Sequence, residues 1–382
     1  MKTEKVKGFN DFTDEEAEKR AEIKKIISEA FEKYGFGPVE TPMVEYEDFV
    51  KGNSSQEEDE AISDIFKLKD KGKRNLALRY EFTFQLKRIA KNKKIPYKRY
   101  QIGEVFRNEP VQSNRLRQFT QCDVDTIGST IKDEAEILAL SNEILRNLGI
   151  NPVILINNRK LLDDVLKYLK IKKNKEKIMK EIDKLDKQGA QKTQNNLYKL
   201  GAGELLKSMS KGEKYFKKFD SYKEIVELMK YCKIYGVKVL FSPTIVRGLS
   251  YYNGSVFEIK SKDAKDTIVG GGSYKVEGVQ STGISFGLER ISSLAKLSNF
   301  VDMKEKYLIV SLNKEKESIK LAQKLRNKGE TVSLFYGKPS KALEYANSYG
   351  IRNVVFVGEK EIKKKKFKVK DMKTGKESLL KI

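Results

Sequence analysis

Two adjacent stretches of the chain alternate apolar and polar residues with the two-residue period of a β-strand. They lie within KRYQIGEVFRNEPVQSNRLRQFTQCDVDTIG, residues 98–128, and a short polar turn separates them. One face of the second stretch carries Arg117, Phe119, Gln121, Asp123 and Asp125, and the other face carries Gln118, Thr120, Cys122 and Val124. The pattern predicts a hairpin with an aromatic ring, an amide and two carboxylates on one face.

Arginines gather at the open end of this predicted hairpin, because the first strand ends at Arg107, and Arg115 and Arg117 follow the turn. A guanidinium group binds phosphate oxygens through two parallel hydrogen bonds, so one interpretation is an anion-binding site. The alternative is a solvated loop in which these arginines pair with Glu104 and Glu109. The hairpin pattern by itself supports both.

Helical periodicity marks the first long element, an amphipathic helix predicted over residues 14–34. Thr13 and Glu16 have the spacing of a capping box, and Gly35 stands where a left-handed residue commonly ends a helix. Residues 52–73 are polar and charged, which predicts a mobile excursion. Further elements predicted in this part are a strand at 76–79, a helix at 133–148 and a strand at 153–156.

The stretch 159–235 is basic and helical in pattern, and we interpret it as an insertion between two halves of one sheet. The second half is predicted to begin at 237–241, to continue through IVRGLSYYNGSVFEIK with Arg247 at a strand entry, and to return at 281–286 after Gly270, Gly271 and Gly272. A helix over 287–297 would carry Glu289 and Arg290 in its first turn.

From residue 307 onward the pattern changes to strand, helix, strand, helix, strand, over 307–312, 314–328, 332–336, 340–349 and 354–357. This order predicts a βαβαβ domain with a parallel core. A basic run at 363–370 is interpreted as a solvated edge strand, and a turn is expected at Lys373, Thr374 and Gly375.

Composition excludes several chemistries, since none of the 382 residues is a histidine. Serine or cysteine nucleophiles activated by histidine are therefore impossible, and Cys122 and Cys232 are too few for a zinc site. The two cysteines favour a reducing cytoplasm, and no run approaches a membrane span. The net charge of +23 favours a polyanionic partner, although a lysine-rich proteome would give the same charge.

These segments together resemble the motifs of class II aminoacyl-tRNA synthetases and, within that class, of histidyl-tRNA synthetases. The hairpin is similar to motif 2, ISFGLERI at 284–291 to motif 3, and the helix leading through Thr41 and Pro42 to motif 1. RGLSYY at 247–252 is close to the RGLDYY signature of histidyl enzymes, and QCDVD at 121–125 supports the same subfamily.

The resemblance implies an α+β catalytic core with an antiparallel sheet that contains a helical insertion, followed by a C-terminal α/β anticodon-binding-like domain. The implied boundaries are 1–158 and 236–302 for the two halves of the catalytic core, 159–235 for the insertion and 303–382 for the anticodon-binding domain. The implied substrates are ATP, L-histidine and tRNA(His), with Mg²⁺ as cofactor. A cytoplasmic homodimer without membrane association is expected.

The resemblance also implies roles for individual residues. Arg107 would hold the α-phosphate of ATP and the substrate carboxylate, and Arg247 would be the catalytic cation beside that carboxylate. Arg290 and Arg115 would bind the far phosphates, and Phe119 would stack on adenine. The histidine-binding residues would be Glu81, Thr83 and Gln121 at the amino end, and Asp125, Tyr251, Tyr252 and Tyr274 around the imidazole.

Several positions depart from the family pattern. Ser250 replaces the usual aspartate, Pro110 lies where arginine is common, and Ser273 and Lys275 replace the arginine and aspartate of the family's GGRYD segment. These changes are expected to affect the inner edge of the pocket and the contact with the tRNA acceptor end. The alternative function is a non-catalytic, synthetase-like paralogue that acts as a regulatory or histidine-sensing subunit, and an RNA-binding scaffold ranks last.

Overall fold

The computed structural model describes residues 3–51, 64–111, 115–247, 251–263, 267–297, 306–364 and 366–380. The chain divides into two compact units, Met1–Lys296 and Leu297–Ile382. No helix of the described part of the chain is long and apolar enough to cross a membrane.

An eight-stranded sheet forms the first unit, with strand order β1-β5-β6-β11-β10-β9-β7-β8. Its strands are β1 (Gly37–Pro38), β5 (Tyr97–Phe106), β6 (Gln118–Ile127), β7 (Pro152–Asn158), β8 (Val239–Phe241), β9 (Ser255–Ser261), β10 (Thr267–Val276) and β11 (Val279–Gly287). All neighbours in the sheet pair antiparallel except the outermost pairs, β1 with β5 and β7 with β8. The predicted antiparallel sheet, with strands drawn from both sides of a helical segment, is confirmed.

The predicted hairpin is formed by β5 and β6, which pair from Tyr97 with Ile127 to Phe106 with Gln118. Cys122 is fully buried on the face opposite the carboxylates, as a packed thiol. A smaller sheet of β2 (Val44–Tyr46), β4 (Asn75–Leu78) and β3 (Lys67–Lys69) lies in the same unit. The expectation of a mobile excursion over residues 52–73 is wrong for its second part, because β3 pairs there with β4. Residues 52–63 lie outside the described residues.

Helices cover the sheet and form the segment between β7 and β8. They are α1 (Asp14–Lys33), α2 (Glu47–Lys51), α3 (Leu86–Ile89), α4 (Ile131–Asn147), α5 (Arg159–Tyr168), α6 (Lys175–Asp183), α7 (Leu185–Gln188), α8 (Ala190–Lys199), α9 (Leu205–Met209), α10 (Tyr222–Ile234) and α11 (Leu288–Leu294), with a 3₁₀ helix at Glu213–Lys218. Helix α10 packs against α4 and β7.

Helix α1 confirms its predicted length but not its predicted cap. Gly35 ends it with φ +80°. Thr13 makes no side-chain capping bond, because Asp14 has φ 50° and the first turn departs from the geometry that a capping box needs. The capping box of this unit lies instead at α4, where Thr130 and Asp133 bond to each other's backbone N–H groups.

One expectation about the second half of the sheet is wrong. Arg247 lies in a loop with φ 55°, not at a strand entry, and the strand of this segment begins at Ser255. Gly270, Gly271 and Gly272 lie inside β10, paired on both sides with β9 and β11. Glycine is needed there because a Cβ on Gly271 would lie 2.1 Å from the Gly283 carbonyl oxygen.

The second unit confirms the predicted βαβαβ order. It consists of β12 (Lys306–Ser311), α12 (Glu315–Arg326), β13 (Thr331–Tyr336), α13 (Pro339–Ser348), β14 (Asn353–Val357), α14 (Glu359–Lys364), β15 (Lys368–Asp371) and β16 (Glu377–Leu379). Strands β13, β12 and β14 are parallel, and apolar clusters fill both faces of the sheet. The basic run does not form the edge: its strand, β15, pairs with β14 and β16.

Candidate active site

A cavity of about 950 Å³ opens on one face of the eight-stranded sheet. Every site residue that the sequence nominated lies in its lining: Glu81, Thr83, Arg107, Arg115, Phe119, Gln121, Asp125, Arg247, Tyr251, Tyr252, Tyr274 and Arg290. The sheet explains this convergence, because alternate residues of β6 point to the same side and place Phe119, Gln121, Asp123 and Asp125 in one row. The structure thus brings together residues that are far apart in the chain.

A buried ion pair closes one end of this cavity. Arg99 Nη2 lies 2.6 Å from Asp125 Oδ2, and the Arg99 side chain has no exposed surface. The Tyr274 hydroxyl donates to the other oxygen, Asp125 Oδ1. Sequence reasoning missed Arg99, although Arg99 and Asp125 are directly opposite in the hairpin register, and pairing the two predicted strands would have revealed the contact.

Tyrosine rings pack beside this ion pair. The ring centroids of Tyr251 and Tyr252 are 4.7 Å apart, and those of Tyr251 and Tyr274 are 5.6 Å apart in an edge-to-face arrangement. The Tyr251 hydroxyl donates to Glu81 Oε2 over 3.3 Å. This end of the cavity therefore combines aromatic surface with hydroxyl and carboxylate groups.

Burial raises the pKa of the Glu81, Asp123 and Asp125 carboxyl groups in this region. It raises the pKa of Glu81 to about 7, against the opposing effect of the Arg107 guanidinium. It also raises the pKa of Asp123 to about 7, and the neighbouring Asp125 carboxylate adds to that rise. The Gln121 amide donates to Asp123 Oδ1 over 3.4 Å and to the Ser285 hydroxyl, which fixes this row of polar side chains.

The arginines of the hairpin end take different positions. The Arg107 guanidinium lies 4.3 Å from the Tyr80 ring centroid and 5.1 Å from that of Phe119. Arg115 lines the cavity and pairs with Glu109 at 3.0 Å, as the ion-pair interpretation expected, and the anion-binding interpretation stays a prediction. The expectation that Arg117 adds a third guanidinium to the same site is wrong. Arg117 does not line the cavity, and its Nε donates to the Glu109 carbonyl.

Arg247 and Arg290 approach the same cavity from the second half of the sheet. Arg247 Nη1 lies 3.3 Å from Glu258 Oε1, and its guanidinium passes directly over Gly270. Arg290 Nη1 donates to the Thr267 carbonyl over 2.5 Å. The adjacent Glu289 anchors α11, because its carboxylate accepts from the Thr120 N–H at 3.0 Å and from Arg20 at 2.9 Å.

Residues of the segment between β7 and β8 also line the cavity, which sequence reasoning did not foresee. Asp183, Asp186 and Lys187 reach it from α6 and α7, and Asp186 Oδ2 lies 2.5 Å from Lys260 Nζ on β9. No sequence signal marks them, since the contact depends on how this segment folds back over the sheet.

Ser273 and Lys275 do not lie at the inner edge of this cavity, contrary to expectation. They alternate with Tyr274 along β10, and so they line a separate cavity on the opposite face. Pro110 is exposed and outside the cavity lining, and Ser250, with Gly248 and Leu249, lies outside the described residues.

The sheet carries a cavity lined by arginines. Motif 2 lies on the β5–β6 hairpin, and motif 3 lies on β11 and α11. This combination defines a class II aminoacyl-tRNA synthetase. Residues 8–291 match the family model of histidyl-tRNA synthetase, and residues 306–382 match that of the anticodon binding domain. The chain belongs to the histidyl-tRNA synthetase family.

Individual relatives agree. The chain is 32% identical to histidine–tRNA ligase 2 of Shouchella clausii over 97% of this chain and 96% of the relative. It is 32% identical to the histidine–tRNA ligase of Clostridium acetobutylicum, over 93% and 92% of the two chains.

Solved structures share the fold. A histidyl-tRNA synthetase from Nostoc sp. PCC 7120 superposes with a TM-score of 0.84 at 24% identity, covering 100% of this chain and 97% of that one. An ATP phosphoribosyltransferase regulatory subunit/histidyl-tRNA synthetase from Bacillus halodurans C gives a TM-score of 0.77 at 21% identity, covering 93% and 98%.

Proposed function

We propose that this chain activates L-histidine with ATP to histidyl-adenylate and transfers the histidyl group to the 3′ end of tRNA(His). The observation that carries the proposal is that one cavity is lined by two kinds of group. Arg107, Arg247 and Arg290 line it together with carboxyl groups and tyrosine rings. The guanidinium groups suit a polyphosphate, and the carboxyl groups and tyrosines suit an amino acid with a polar aromatic side chain.

The histidine would lie at the carboxylate end. Its ammonium group would bind near Glu81, Thr83 and Gln121, and its imidazole would contact Asp125 and Tyr274. Imidazole both donates and accepts hydrogen bonds, so an apolar analogue would bury these polar groups without adding the hydrogen bonds that imidazole forms, and an unmade buried hydrogen bond costs about 1–3 kcal/mol. Tyr251 and Tyr252 would bound the ring.

ATP would lie at the arginine end, with adenine on Phe119, the α-phosphate at Arg107 and the far phosphates at Arg115 and Arg290. A histidine carboxylate oxygen attacks the α-phosphorus, the bond to pyrophosphate breaks, and pyrophosphate leaves with its electron pair. Negative charge accumulates on the phosphoryl oxygens, where fixed guanidinium groups stabilise it without reorganisation. Arg247 would stand beside the attacking carboxylate.

In the second step the terminal ribose hydroxyl of the tRNA attacks the adenylate carbonyl. The bond to phosphate breaks, AMP leaves, and the hydroxyl loses its proton. The chain contains no histidine to take that proton. A phosphate oxygen of the adenylate would accept the proton, and Arg107 and Arg247 would hold that phosphate in place.

Mg²⁺ commonly binds through one or two carboxylates together with substrate phosphates. Glu258 and Glu289 line the same cavity as Arg290, and their oxygens are ligands of this type. No group of three or more acidic or cysteine side chains in the described residues could hold a metal by itself. We infer that Glu258 and Glu289 would hold Mg²⁺ together with the phosphates of ATP, and that the ion would neutralise phosphate charge there.

The C-terminal unit would bind the anticodon region of the tRNA, and we expect a homodimer in the cytoplasm, as the class resemblance implies. A regulatory paralogue is the second candidate, because one structural neighbour is described both as an ATP phosphoribosyltransferase regulatory subunit and as a histidyl-tRNA synthetase. The presence of Arg107, Arg247 and Arg290 in one cavity and of the anticodon binding domain favours the enzyme.

The test is ATP–pyrophosphate exchange with each of the twenty amino acids, without tRNA. Exchange with histidine alone supports the proposal, whereas no exchange with any amino acid supports the regulatory paralogue. Arg247→Ala should abolish exchange while far-UV circular dichroism stays unchanged. Retained turnover would remove Arg247 from its catalytic role.

A further inference from the structure

Lys260, on strand β9, adds a further cation to the lining of the active-site cavity. Its side chain is 22% exposed. Glu258, two residues earlier on the same strand, lines the same cavity, as strand alternation requires of residues that share a face. The ammonium group of Lys260 is therefore a cation of the site that neither the β5–β6 hairpin nor the segment 284–291 supplies.

The pairing of β9 with β10 brings Lys260 toward Arg290. Lys260 is directly opposite Thr267 in the antiparallel register, and the Thr267 carbonyl oxygen accepts from Arg290 Nη1 over 2.5 Å. The Thr267 hydroxyl donates to Glu258 Oε2 over 2.8 Å, which holds the Thr267 side chain on the cavity face. An ammonium and a guanidinium group thus approach one residue of the lining from two elements.

An exposed carboxylate neutralises Lys260 in the structure. Asp186 Oδ2 lies 2.5 Å from Lys260 Nζ, and the Asp186 side chain is 70% exposed on α7, a helix of four residues. An ion pair with one partner this exposed contributes about 1 kcal/mol or less. A polyphosphate would therefore displace Asp186 at little cost, whereas Lys260 stays in place because β9 pairs on both sides, with β10 and β7.

We propose that Lys260 is a further ATP-binding residue, whose ammonium group leaves Asp186 and contacts the phosphates beyond the α-phosphate, next to Arg290. This assignment rests on the proposed function, which puts the far phosphates at Arg290. An ammonium group acts as a point charge with rotatable donors, so it keeps its contact while pyrophosphate separates from the α-phosphorus. Asp186 then competes with the phosphates for Lys260 and is not part of their site.

Isothermal titration calorimetry of the full chain with ATP, and separately with AMP, in a buffer that contains MgCl₂, measures this contact. Lys260→Met keeps the apolar stem and removes the charge. Its Kd for ATP should rise about 10-fold, because a hydrogen bond to a charged group is lost. Its Kd for AMP should change little, since AMP lacks the far phosphates, and Lys260→Arg should retain most of the affinity for ATP.

Asp186→Asn separates phosphate binding from a purely structural role of the ion pair. Removal of the competing carboxylate should lower the Kd for ATP by about 2- to 5-fold, whereas loss of a structural contact would raise it. Lys262→Met is the matched control, because Lys262 is exposed and lies outside the cavity lining. It should leave the Kd values of both nucleotides unchanged.

Three results would overturn the assignment: an unchanged Kd for ATP in Lys260→Met, an equal loss of affinity for ATP and AMP, or an affinity for ATP that does not rise in Asp186→Asn. If Lys260→Met does not fold, the direction of the Asp186→Asn change decides. A wild-type chain that binds ATP but exchanges pyrophosphate with no amino acid would refute the proposed function alone, and the Lys260 comparison would still hold. A wild-type chain that binds no ATP would refute both.

Discussion

At the scale of single residues, Arg99 and Asp125 form a buried ion pair beside the proposed histidine pocket. The Arg99 side chain is 0% exposed, and its Nε and Nη1 have no other hydrogen-bond partners in the described residues. Asp125→Asn would leave this buried cation without its counter-charge. We expect the free energy of unfolding in urea to fall by about 3–5 kcal/mol.

A double-mutant cycle separates pairing from packing. Arg99→Met combined with Asp125→Asn should cost less than the sum of the single changes, because the uncompensated charge is gone. The exposed pair of Arg74 and Asp70, 2.5 Å apart, is the control, and Arg74→Met should cost about 1 kcal/mol or less. Strict additivity of the Arg99 and Asp125 changes would contradict the pairing.

The raised pKa of Asp123, at about 7, predicts a dependence of stability on pH. An unfolded aspartate loses its proton near pH 4, whereas Asp123 in the folded chain keeps its proton up to about pH 7. The folded state therefore binds more protons in this window, and the free energy of unfolding falls as the pH rises through it.

Asp123→Asn removes this titration. Between pH 5 and 7 the variant should lose stability less steeply than the wild type, by up to about 1.4 kcal/mol per pH unit. Urea unfolding at three or more pH values measures the slope. Asp11→Asn, at an exposed position, is the control variant. Equal slopes for Asp123→Asn and wild type would refute the argument.

Contacts between residues that are distant in the chain are harder to predict from the sequence than the residues of one strand face. The row Phe119, Gln121, Asp125 could be predicted, because strand alternation alone places every second residue on one face. Arg99, Asp183 and Asp186 were missed, because their proximity to the site depends on strand register and on how a distant segment folds back. The roles assigned to the predicted residues still rest on resemblance.

At the scale of elements, strand β10 leaves room for the Arg247 guanidinium because Gly270 has no side chain. A Cβ on Gly270 would lie 2.7 Å from Arg247 Cζ, so Gly270→Ala should displace the guanidinium and leave the strand intact. Misplacement of a reacting group by about 1 Å commonly costs about 100-fold in rate. We expect a loss of this size in histidine-dependent ATP–pyrophosphate exchange.

Gly37→Ala is the matched control, because the atom nearest to its new Cβ, the Lys98 carbonyl oxygen, would be 3.9 Å away. It should keep both exchange activity and the urea midpoint. Wild-type exchange in Gly270→Ala would show that the position of Arg247 in the structure is not the one that the reaction requires.

Elements with strong local periodicity could be predicted from the sequence, as β5, β6 and the βαβαβ order of the second unit show. The errors have nonlocal causes. Strand β3 was missed because it forms by pairing with β4, which the polar pattern of residues 52–73 does not indicate. The segment at Arg247 has apolar residues typical of a strand. In the structure Ile245, one of these residues, packs in a cluster with Tyr252 and Tyr274 instead of forming a strand.

At the scale of the whole molecule, the net charge of +23 and the candidate active site would serve different steps of the proposed reaction. Lysines and arginines distributed over the surface would attract the tRNA backbone, whose affinity depends on counterion release. The exchange reaction involves only small substrates within one cavity. The two steps should therefore respond differently to salt.

Raising sodium chloride from 50 to 200 mM should lower kcat/KM for tRNA in aminoacylation by about 10-fold or more, because released counterions oppose binding. Histidine-dependent ATP–pyrophosphate exchange, measured in the same buffers without tRNA, is the control and should change little. The logarithm of kcat/KM plotted against the logarithm of salt concentration should be linear, with a slope proportional to the number of phosphates contacted. A parallel decline of both reactions would mean that salt acts on the active site, and that the surface charge reports solubility and not tRNA binding.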